Sequence, residues 1–259
     1  MECVRRMDLK GKRVLLFTSV LFNYHIQIKK AIEDLGAEVH LYDERNDPSS
    51  IEKILIRKAR FLMSKRTNAY YKRVREKEIN FRPDYVLFVS PEAVTEESLR
   101  VLRNTFINSK FILYMWDSIR NKKVQEILKY FDSSFSFDPE DCKQYGMTFR
   151  PLFFSKDFEK YGMEEEYEYD VSFIGTVHSD RAKILWEIKE FCDANQLTYY
   201  FYLFIPGKLL LNLRMLTDPY LRKWGSSYVH IDSITKEDVA KVSERSIGII
   251  DINHPGQTG

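Results

Sequence analysis

A glycine-bearing turn in the second half of the chain has residue types that bind phosphate. Gly175 and Thr176 end an apolar run typical of a strand, and Arg181 falls in the first turn of a predicted helix. A helix N-terminus presents free amides and a partial positive charge, and a guanidinium can donate two parallel hydrogen bonds to phosphate. The spacing is neither a dinucleotide fingerprint nor a P-loop. It favours an anion site, although an ordinary strand-to-helix turn with a surface arginine fits the same residues.

A second segment of this kind stands at the end of the sequence. His254, Gln257, Thr258 and Gly259 follow a predicted strand. The side chains of Gln257 and Thr258 can donate hydrogen bonds to phosphate or to hydroxyl groups. The sequence thus predicts a second ligand-binding loop, and the alternative is a plain turn, since Pro and Gly occur in turns of every kind.

Two residues in the first half of the chain have the chemistry of a general base. His25 lies at the start of the first predicted helix, where an imidazole can accept a proton near neutral pH. Asp117 directly follows a predicted strand, where a carboxylate can orient an imidazole or act as the base itself. The alternatives are a histidine with no catalytic role and an aspartate that caps the next helix.

These candidates stand at the ends of predicted strands in an alternating α/β pattern. The apolar run 13–18, the helical pattern 26–35 and the alternating run 37–42 form a β-α-β unit, which is the start of a Rossmann-like sheet. Ligands bind outside the carboxyl ends of such strands. The residues that follow predicted strands in the first half are Asn23, Tyr24, His25, Ser90, Pro91, Glu92, Trp116, Asp117 and Ser118.

Helices are predicted after several of these strands. One is predicted over residues 91–103, with Thr95 as its N-cap, and one over residues 122–130. In the second half a helix is predicted from about Ser179 to Ala194, with one apolar face that consists of Ile184, Leu185, Ile188, Phe191 and Cys192.

The pattern predicts an α/β protein with two Rossmann-like domains that face each other across a cleft. Six predicted strands fill an N-terminal domain at residues 1–155, and the alternation restarts for a second domain at residues 171–259. Residues 156–170 carry seven acidic side chains against two lysines and are predicted to be a linker. We expect the second domain to be incomplete, because its last strand is followed by a loop but by no crossover helix.

The distribution of charge limits the classes of partner. The 259 residues include 40 Lys or Arg and 38 Asp or Glu, and a net charge of +2 excludes a globally basic nucleic-acid binder. Residues 51–82 differ, with eleven Lys or Arg against three Glu. A solvated charged face is the plain interpretation, and contact with anionic membrane lipid or a lipid-phosphate acceptor is the functional one. The predicted apolar stripe of this segment consists of Ile51, Ile54, Leu55, Ala59 and Leu62.

The chain shows no pattern for a metal site or an activated serine. Its five histidines and three cysteines lie at no metal-ligand spacing, and no G-x-S-x-G elbow is present. The cysteines are far apart, the N-terminus has no signal-peptide pattern, and no apolar run approaches the roughly 20 residues of a membrane span. We therefore expect a cytoplasmic protein, with peripheral membrane contact where residues 51–82 meet lipid.

Three segments together resemble one enzyme family. Residues 169–176 with Arg181, residues 249–259 and residues 114–118 look like bacterial GT-B glycosyltransferases. The resemblance is greatest to the CgeB-like (spore-maturation-type) group and its relatives in capsule and lipopolysaccharide gene clusters. It covers the whole chain in layout and is specific only in these segments. It implies a C-terminal domain that binds a nucleotide-sugar donor and an N-terminal domain that binds a glycan or lipid-linked acceptor.

The resemblance also assigns roles to the candidate residues. Gly175, Thr176 and Arg181 would lie near the donor diphosphate, and residues 254–259 would approach the donor sugar and phosphate. His25 would activate the acceptor hydroxyl, and transfer would need no metal ion and no cofactor beyond the nucleotide-sugar co-substrate. The family continues past this point with a helix that carries an acidic donor-binding residue, so the resemblance implies a C-terminally truncated chain.

Two other functions fit the same layout. A non-catalytic protein that binds a nucleotide or sugar between two lobes is the main alternative. A nucleic-acid binder that uses residues 51–82 is disfavoured by the nearly balanced charge of the chain.

Overall fold

The computed structural model describes residues 8–20, 23–49, 52, 55–56, 59–154 and 167–252. The chain forms two compact units, which divide between Phe153 and Phe154. Each unit is built around its own parallel β-sheet. The prediction of two Rossmann-like α/β units is therefore confirmed.

The first unit holds a six-stranded parallel sheet, as predicted. Its strands are β1 (Arg13–Thr18), β2 (Glu38–Asp43), β3 (Tyr85–Val89), β4 (Lys110–Met115), β5 (Ser133–Ser136) and β6 (Thr148–Phe149). Their spatial order is β2-β1-β3-β4-β5-β6, and every neighbouring pair is parallel. Leu15, Leu16 and Phe17 of β1 are fully buried, because helices cover both faces of a sheet of this kind.

The helices of the first unit follow their strands at the expected places, with two differences. They are α1 (Tyr24–Glu33), α2 (Arg60–Glu78), α3 (Glu96–Thr105), α4 (Ile119–Lys122) and α5 (Pro139–Tyr145), with a 3₁₀ helix at Gln125–Tyr130. Thr95 caps α3 as predicted, since its hydroxyl oxygen accepts the Ser98 N–H at 3.1 Å. The predicted start at Pro91 is wrong, because the extended backbone of Thr95 sets the beginning of the helix at Glu96.

The single helix predicted over residues 122–130 is also wrong. Two shorter elements, α4 and the 3₁₀ helix, occupy this stretch. They are separated at Lys123, whose φ of 52° lies in the left-handed region and whose N–H bonds to the Ile119 carbonyl at 2.7 Å. A left-handed residue after a short helix ends that helix and redirects the chain.

The basic segment contributes one long helix, α2, and its apolar stripe differs from the prediction. Leu62 is 60% exposed, and Tyr71, Val74 and Glu78 face the core instead. The Glu78 carboxylate lies 2.6 Å from His40 Nδ1 and accepts the hydroxyl of Tyr42, so a polar tie to β2 sets the rotation of the helix. Of the remaining stripe residues, Leu55 and Ala59 are half-buried, and Ile51 and Ile54 lie outside the described residues.

The second unit holds a four-stranded sheet. Its strands are β7 (Tyr169–Thr176), β8 (Tyr199–Phe204), β9 (Val229–His230) and β10 (Ser246–Ile249), in the parallel order β10-β7-β8-β9. Its helices are α6 (Arg181–Asn195), α7 (Lys208–Thr217) and α8 (Lys236–Glu244), with a 3₁₀ helix at Leu221–Lys223. Phe173, Leu185, Leu203 and Trp224 are buried together in its core.

Helix α6 departs from the sequence prediction at its start and on one face. It begins at Arg181, not near Ser179, because Ser179 adopts a left-handed φ of 50° that a helix cannot contain. Phe191, predicted on the buried face, is 61% exposed, and Ala182 joins Leu185 in the core. In the described part of the chain, no helix combines the length and the apolar character needed to cross a bilayer.

Candidate functional site

Polar side chains collect where four strands of the first unit end. β2, β1, β3 and β4 are consecutive neighbours in the sheet, so their carboxyl ends meet at one edge. The chain that follows these ends brings charged and hydroxyl groups into mutual contact. We call this group the strand-end cluster, and it consists of Ser19, Glu44, Arg45, Ser90, Glu92, Asp117 and Lys122.

Glu44 is the buried centre of the cluster. Its Oε1 accepts the Glu92 N–H at 3.1 Å and its Oε2 accepts the Ala93 N–H at 2.9 Å, while the Ser19 hydroxyl donates to Oε1 at 3.3 Å. Burial raises the pKa of this carboxyl group from 4.5 to about 7, against the lowering effect of the Ala93 N–H. A carboxyl group with no exposed surface therefore titrates near neutral pH.

Glu92 lies between two cations. Lys122 Nζ is 2.9 Å from Glu92 Oε2, and Arg45 Nη1 is 3.4 Å from Glu92 Oε1. The side chains of Glu92, Arg45 and Lys122 are only 6%, 8% and 15% exposed. Charges this deeply placed are stable only when each has its partner, so the three side chains hold the loops after β2, β3 and β4 together.

Asp117, a predicted catalytic residue, belongs to the same cluster. Its Oδ2 lies 3.3 Å from Lys122 Nζ and accepts the Ser90 hydroxyl at 3.0 Å. The interpretation of Asp117 as a helix cap is wrong, because Ser118 is the residue that precedes α4. The structure thus places a carboxylate, an ammonium and a hydroxyl in contact at the end of β4.

The backbone of Ser90 is strained at this point. Its φ of 43° is in the left-handed region, which a non-glycine residue seldom adopts, and its N–H bonds to the Tyr114 carbonyl at 2.8 Å. Such conformations persist where surrounding contacts hold them and are concentrated at functional sites. Here the strained residue aims its hydroxyl at Asp117.

His25, the other predicted catalytic residue, occupies the first turn of α1. The preceding Asn23 is left-handed, with φ 61°, and provides no side-chain cap. The Nδ1 atom of His25 is buried and has no hydrogen-bond partner among the described residues. An imidazole nitrogen in this state can accept a proton from a ligand that enters the site.

Aromatic rings connect the start of α1, which carries His25, to the loop after β4, which carries Asp117. The ring centroids of Tyr24 and Trp116 are 6.1 Å apart, and Phe153 lies 5.6 Å from Tyr24 and 5.7 Å from Trp116. Tyr24 and Trp116 are half-buried, so their rings are partly available to a ligand. The sequence neighbours of both predicted catalytic residues are therefore packed against each other.

In the second unit, Gly175 and Thr176 are the last two residues of β7. A Cβ atom on Gly175 would stand 2.9 Å from the Phe173 ring and 3.3 Å from Arg181 Nη1. The glycine at this position makes room for these two side chains, which contact each other with the guanidinium carbon 5.7 Å from the ring centroid. The predicted role of Gly175 in approaching a ligand stays a prediction.

Arg181 joins two loops of the second unit. Its Nη1 donates to the Thr176 carbonyl at 3.0 Å, and its Nε donates to the Ile252 carbonyl at 2.7 Å, which also accepts from Nη2. Partial burial lowers the pKa of the guanidinium, and Asp251 opposes that effect. Three of the five N–H groups of Arg181 are thus engaged by backbone carbonyls, which makes it a positioning residue for the ends of β7 and β10.

The predicted residues His254, Gln257, Thr258 and Gly259 lie outside the described residues. Ile252, the residue that Arg181 holds, is the last one described before them. Arg181 therefore links the last described residue of this region to Thr176.

Sequence reasoning missed four members of the strand-end cluster, of which Ser19 directly follows β1. Glu44 and Arg45 directly follow β2, and the rule that selected Asp117 after β4 would also have selected them. Lys122 is the first residue of the helix predicted over residues 122–130, and only the early end of α4 shows that it turns toward Glu92. Across the described part of the chain, no group of three or more His, Cys, Asp or Glu side chains could hold a metal ion.

No family model and no curated protein sequence matches the chain. Solved structures that resemble it include one from Listeria monocytogenes assigned as a UDP-N-acetylglucosamine 2-epimerase, with a TM-score of 0.49, 11% identity and coverage of 92% of this chain and 73% of that one. MnaA of S. aureus, solved with UDP, resembles the chain with a TM-score of 0.48 and 11% identity, and the match covers 92% of this chain and 73% of that one. MurG of Acinetobacter baumannii has a TM-score of 0.44 and 10% identity, and the match covers 92% of this chain and 72% of that one.

Proposed function

We propose that this protein is a metal-independent glycosyltransferase that moves a sugar from a nucleotide-sugar donor to a hydroxyl of a glycan or lipid-linked acceptor, in the synthesis of a cell-surface glycan such as capsule or lipopolysaccharide. One observation supports it above the others. Arg181 contacts both Thr176 and the carbonyl of Ile252, so two segments about 75 residues apart, each predicted to bind the donor, start side by side.

The donor side of the proposed reaction belongs to the second unit. β7 and β10 are neighbouring parallel strands, so the loops that follow them leave from the same edge of the sheet. The backbone amides at the start of α6 carry the partial positive charge of the helix end. In the proposed site these amides and residues 254–259 bind the diphosphate and stabilise the negative charge that develops on it as the bond to the sugar breaks.

The acceptor side belongs to the first unit. His25 accepts the proton of the acceptor hydroxyl, the oxygen of that hydroxyl forms the new bond to the sugar carbon, and the nucleoside diphosphate leaves with the electron pair of the old bond. The buried Nδ1 of His25, which has no hydrogen-bond partner among the described residues, supports this role. The aromatic rings of Tyr24 and Trp116 supply a surface against which a sugar ring can pack.

Contact with anionic lipid at the basic segment forms part of the proposal. Phe61 is 75% exposed and Leu62 is 60% exposed at the start of α2, next to the exposed Lys65. Exposed apolar side chains beside cations are typical of a helix that lies on a membrane surface. Sedimentation with vesicles that contain anionic lipid should fall for Phe61→Ser with Lys65→Glu and persist for the control Lys72→Glu.

Nucleotide binding and turnover test the main proposal separately. Thermal unfolding of the protein is measured with UDP, GDP and their sugar conjugates, and at least one should raise the melting temperature. His25→Ala should leave that shift unchanged and reduce transfer or donor hydrolysis by about 100-fold or more. The absence of any shift with every common nucleoside diphosphate would contradict the proposal.

A non-catalytic nucleotide- or sugar-binding protein is the second candidate. The observation that favours it is the engagement of Asp117 by both Lys122 and Ser90, which is also what a purely structural carboxylate would show. Nucleotide binding with no turnover, unaffected by His25→Ala and Asp117→Asn, would support this candidate over the enzyme.

A further inference from the structure

A cleft in the first unit lies beside the strand-end cluster. Its volume is about 750 Å³, which is within the range of sites for small molecules. The segment that begins with α4 and continues into the 3₁₀ helix forms one wall of the cleft, and the ends of α2 and α5 complete it. The cations that line it are Arg60, Arg120 and Lys123.

The charges in this cleft do not balance. Among the described residues that line it, Glu126 is the one acidic side chain, against the three cations. Neither Arg120 nor Lys123 takes part in an ion pair with any described residue. By contrast, Lys122, between them in sequence, is paired with both Glu92 and Asp117. The cleft therefore keeps two cations available to a negatively charged ligand.

Two backbone carbonyls hold the side chain of Arg60 in place. Arg60, the most buried of the three, donates from Nη2 to the Lys122 carbonyl at 2.6 Å and from Nη1 to the Lys123 carbonyl at 3.4 Å. Lys123 keeps its left-handed φ of 52° at this point. The turn at Lys123 separates two adjacent lysines. Lys122 joins the strand-end cluster, and Lys123 lines the cleft.

The remaining polar and aromatic lining residues indicate which other chemical groups a ligand of this cleft would carry. Gln125 and Gln144 present amides that can donate and accept hydrogen bonds, and Tyr145 adds a half-buried ring. Arginine and lysine bind phosphate, while amides and an aromatic ring suit the hydroxyls and the apolar face of a sugar. The carboxylate of Glu126 disfavours a long polyanion such as a nucleic acid.

We propose that this cleft binds the phosphate group of a phosphorylated carbohydrate, through Arg60, Arg120 and Lys123. The assignment of that molecule as the acceptor rests on the proposed glycosyl transfer; the phosphate site itself does not. The same phosphate chemistry could be carried by a soluble sugar phosphate or by a sugar linked to lipid through phosphate.

Calorimetric titration of the intact protein with glucose 6-phosphate tests the site, with glucose as the neutral probe. The wild type should bind the phosphate ester, and glucose should give no measurable heat. Arg120→Gln with Lys123→Gln should weaken binding by about tenfold or more, because two charge-assisted contacts are lost. The control Lys30→Gln with Lys72→Gln removes two exposed cations elsewhere in the same unit and should change affinity by less than about twofold.

Two further measurements distinguish a soluble ligand from a lipid-linked one, and the phosphate site from the donor site. Vesicles that contain a phosphorylated glycolipid should compete with glucose 6-phosphate if the natural ligand is lipid-linked, and vesicles of phosphatidylcholine should not. The rise in melting temperature caused by nucleotide should be the same in the wild type and in Arg120→Gln with Lys123→Gln. If neither protein shows this rise, the proposed donor site is contradicted and the phosphate site is not. Equal binding of glucose 6-phosphate by the cleft variant and the control, or equal binding of glucose, would overturn the phosphate site.

Discussion

The carboxylate of Glu44 accepts the backbone N–H of Ala93 at 2.9 Å from a position with no exposed surface. This contact, with the one to the Glu92 N–H, fixes the loop after β3 against the end of β2. In this position the Glu92 carboxylate forms ion pairs with Lys122 and Arg45. The geometry of the strand-end cluster therefore depends on one buried group that titrates near neutral pH.

Stability should depend on pH through Glu44. Because burial raises its pKa from 4.5 to about 7, the folded chain holds this proton more tightly than the unfolded chain does. The stabilising contribution is complete below about pH 4.5 and disappears as the pH rises through about 7. A rise of this size in the pKa corresponds to about 3 kcal/mol of unfolding free energy. The wild type should lose that much unfolding free energy, relative to Glu44→Gln, between about pH 5 and about pH 8 in urea titrations.

Glu33→Gln is the matched control for removing one carboxylate, since Glu33 is exposed on α1. Parallel pH curves for the wild type and Glu44→Gln would contradict the role given to Glu44.

Lys122→Met should destabilise the first unit by about 3 kcal/mol, because it leaves Glu92 and Asp117 in poorly hydrated positions without their shared cation. Adding Glu92→Gln should recover part of the loss, which a double-mutant cycle in urea would measure. Lys129→Met is the control: its ion pair with Glu96 is as short, at 2.8 Å, but is exposed, so little change is expected. A similar loss for both variants would show that burial is not the cause.

Arg181→Lys should loosen the end of β10. A lysine keeps the charge but cannot donate to the Thr176 and Ile252 carbonyls together, since the planar fork is lost. We expect faster hydrogen exchange around residues 246–252 and nucleotide affinity lowered by about tenfold, with the melting of the first unit unchanged. Arg214→Lys is the control, because Arg214 donates to the carbonyl of Val177 in the same loop, whereas the hydrogen bonds to the Ile252 carbonyl come from Arg181. Equal losses of affinity in both variants would refute the specific role of Arg181.

Gly175→Ala should destabilise the second unit by about 1–3 kcal/mol, because the new methyl group would meet the Phe173 ring at 2.9 Å. The ring cannot move without disturbing its contact with Arg181. At Gly248 on β10 the nearest atom would stand 3.5 Å away, which is ordinary contact, so Gly248→Ala should cost less. Chemical denaturation of the two variants checks the order, and a larger loss for Gly248→Ala would contradict it.

The sequence predicted the strands better than the helix boundaries. The apolar run at β1 and the alternation of strands and helices are local signals, and both lead to the correct parallel sheets. The rotation of α2 is not local: Glu78 reaches His40 and Tyr42 across nearly 40 residues, and this tie decides which face is buried. The end of α4 at Lys123 likewise depends on Arg60, which lies far earlier in the chain.

The sequence by itself determined that the chain alternates strands and helices in two parallel-sheet units, because strand and helix periodicity is written in neighbouring residues. It also identified His25, Asp117, Gly175, Thr176 and Arg181 as residues near the ends of strands. Only the tertiary structure decided what these side chains touch, that Asp117 shares Lys122 with Glu92 and that Arg181 holds Ile252. Those contacts join segments that parallel strand order brings together, and no local pattern encodes the balance of burial and charge that selects them.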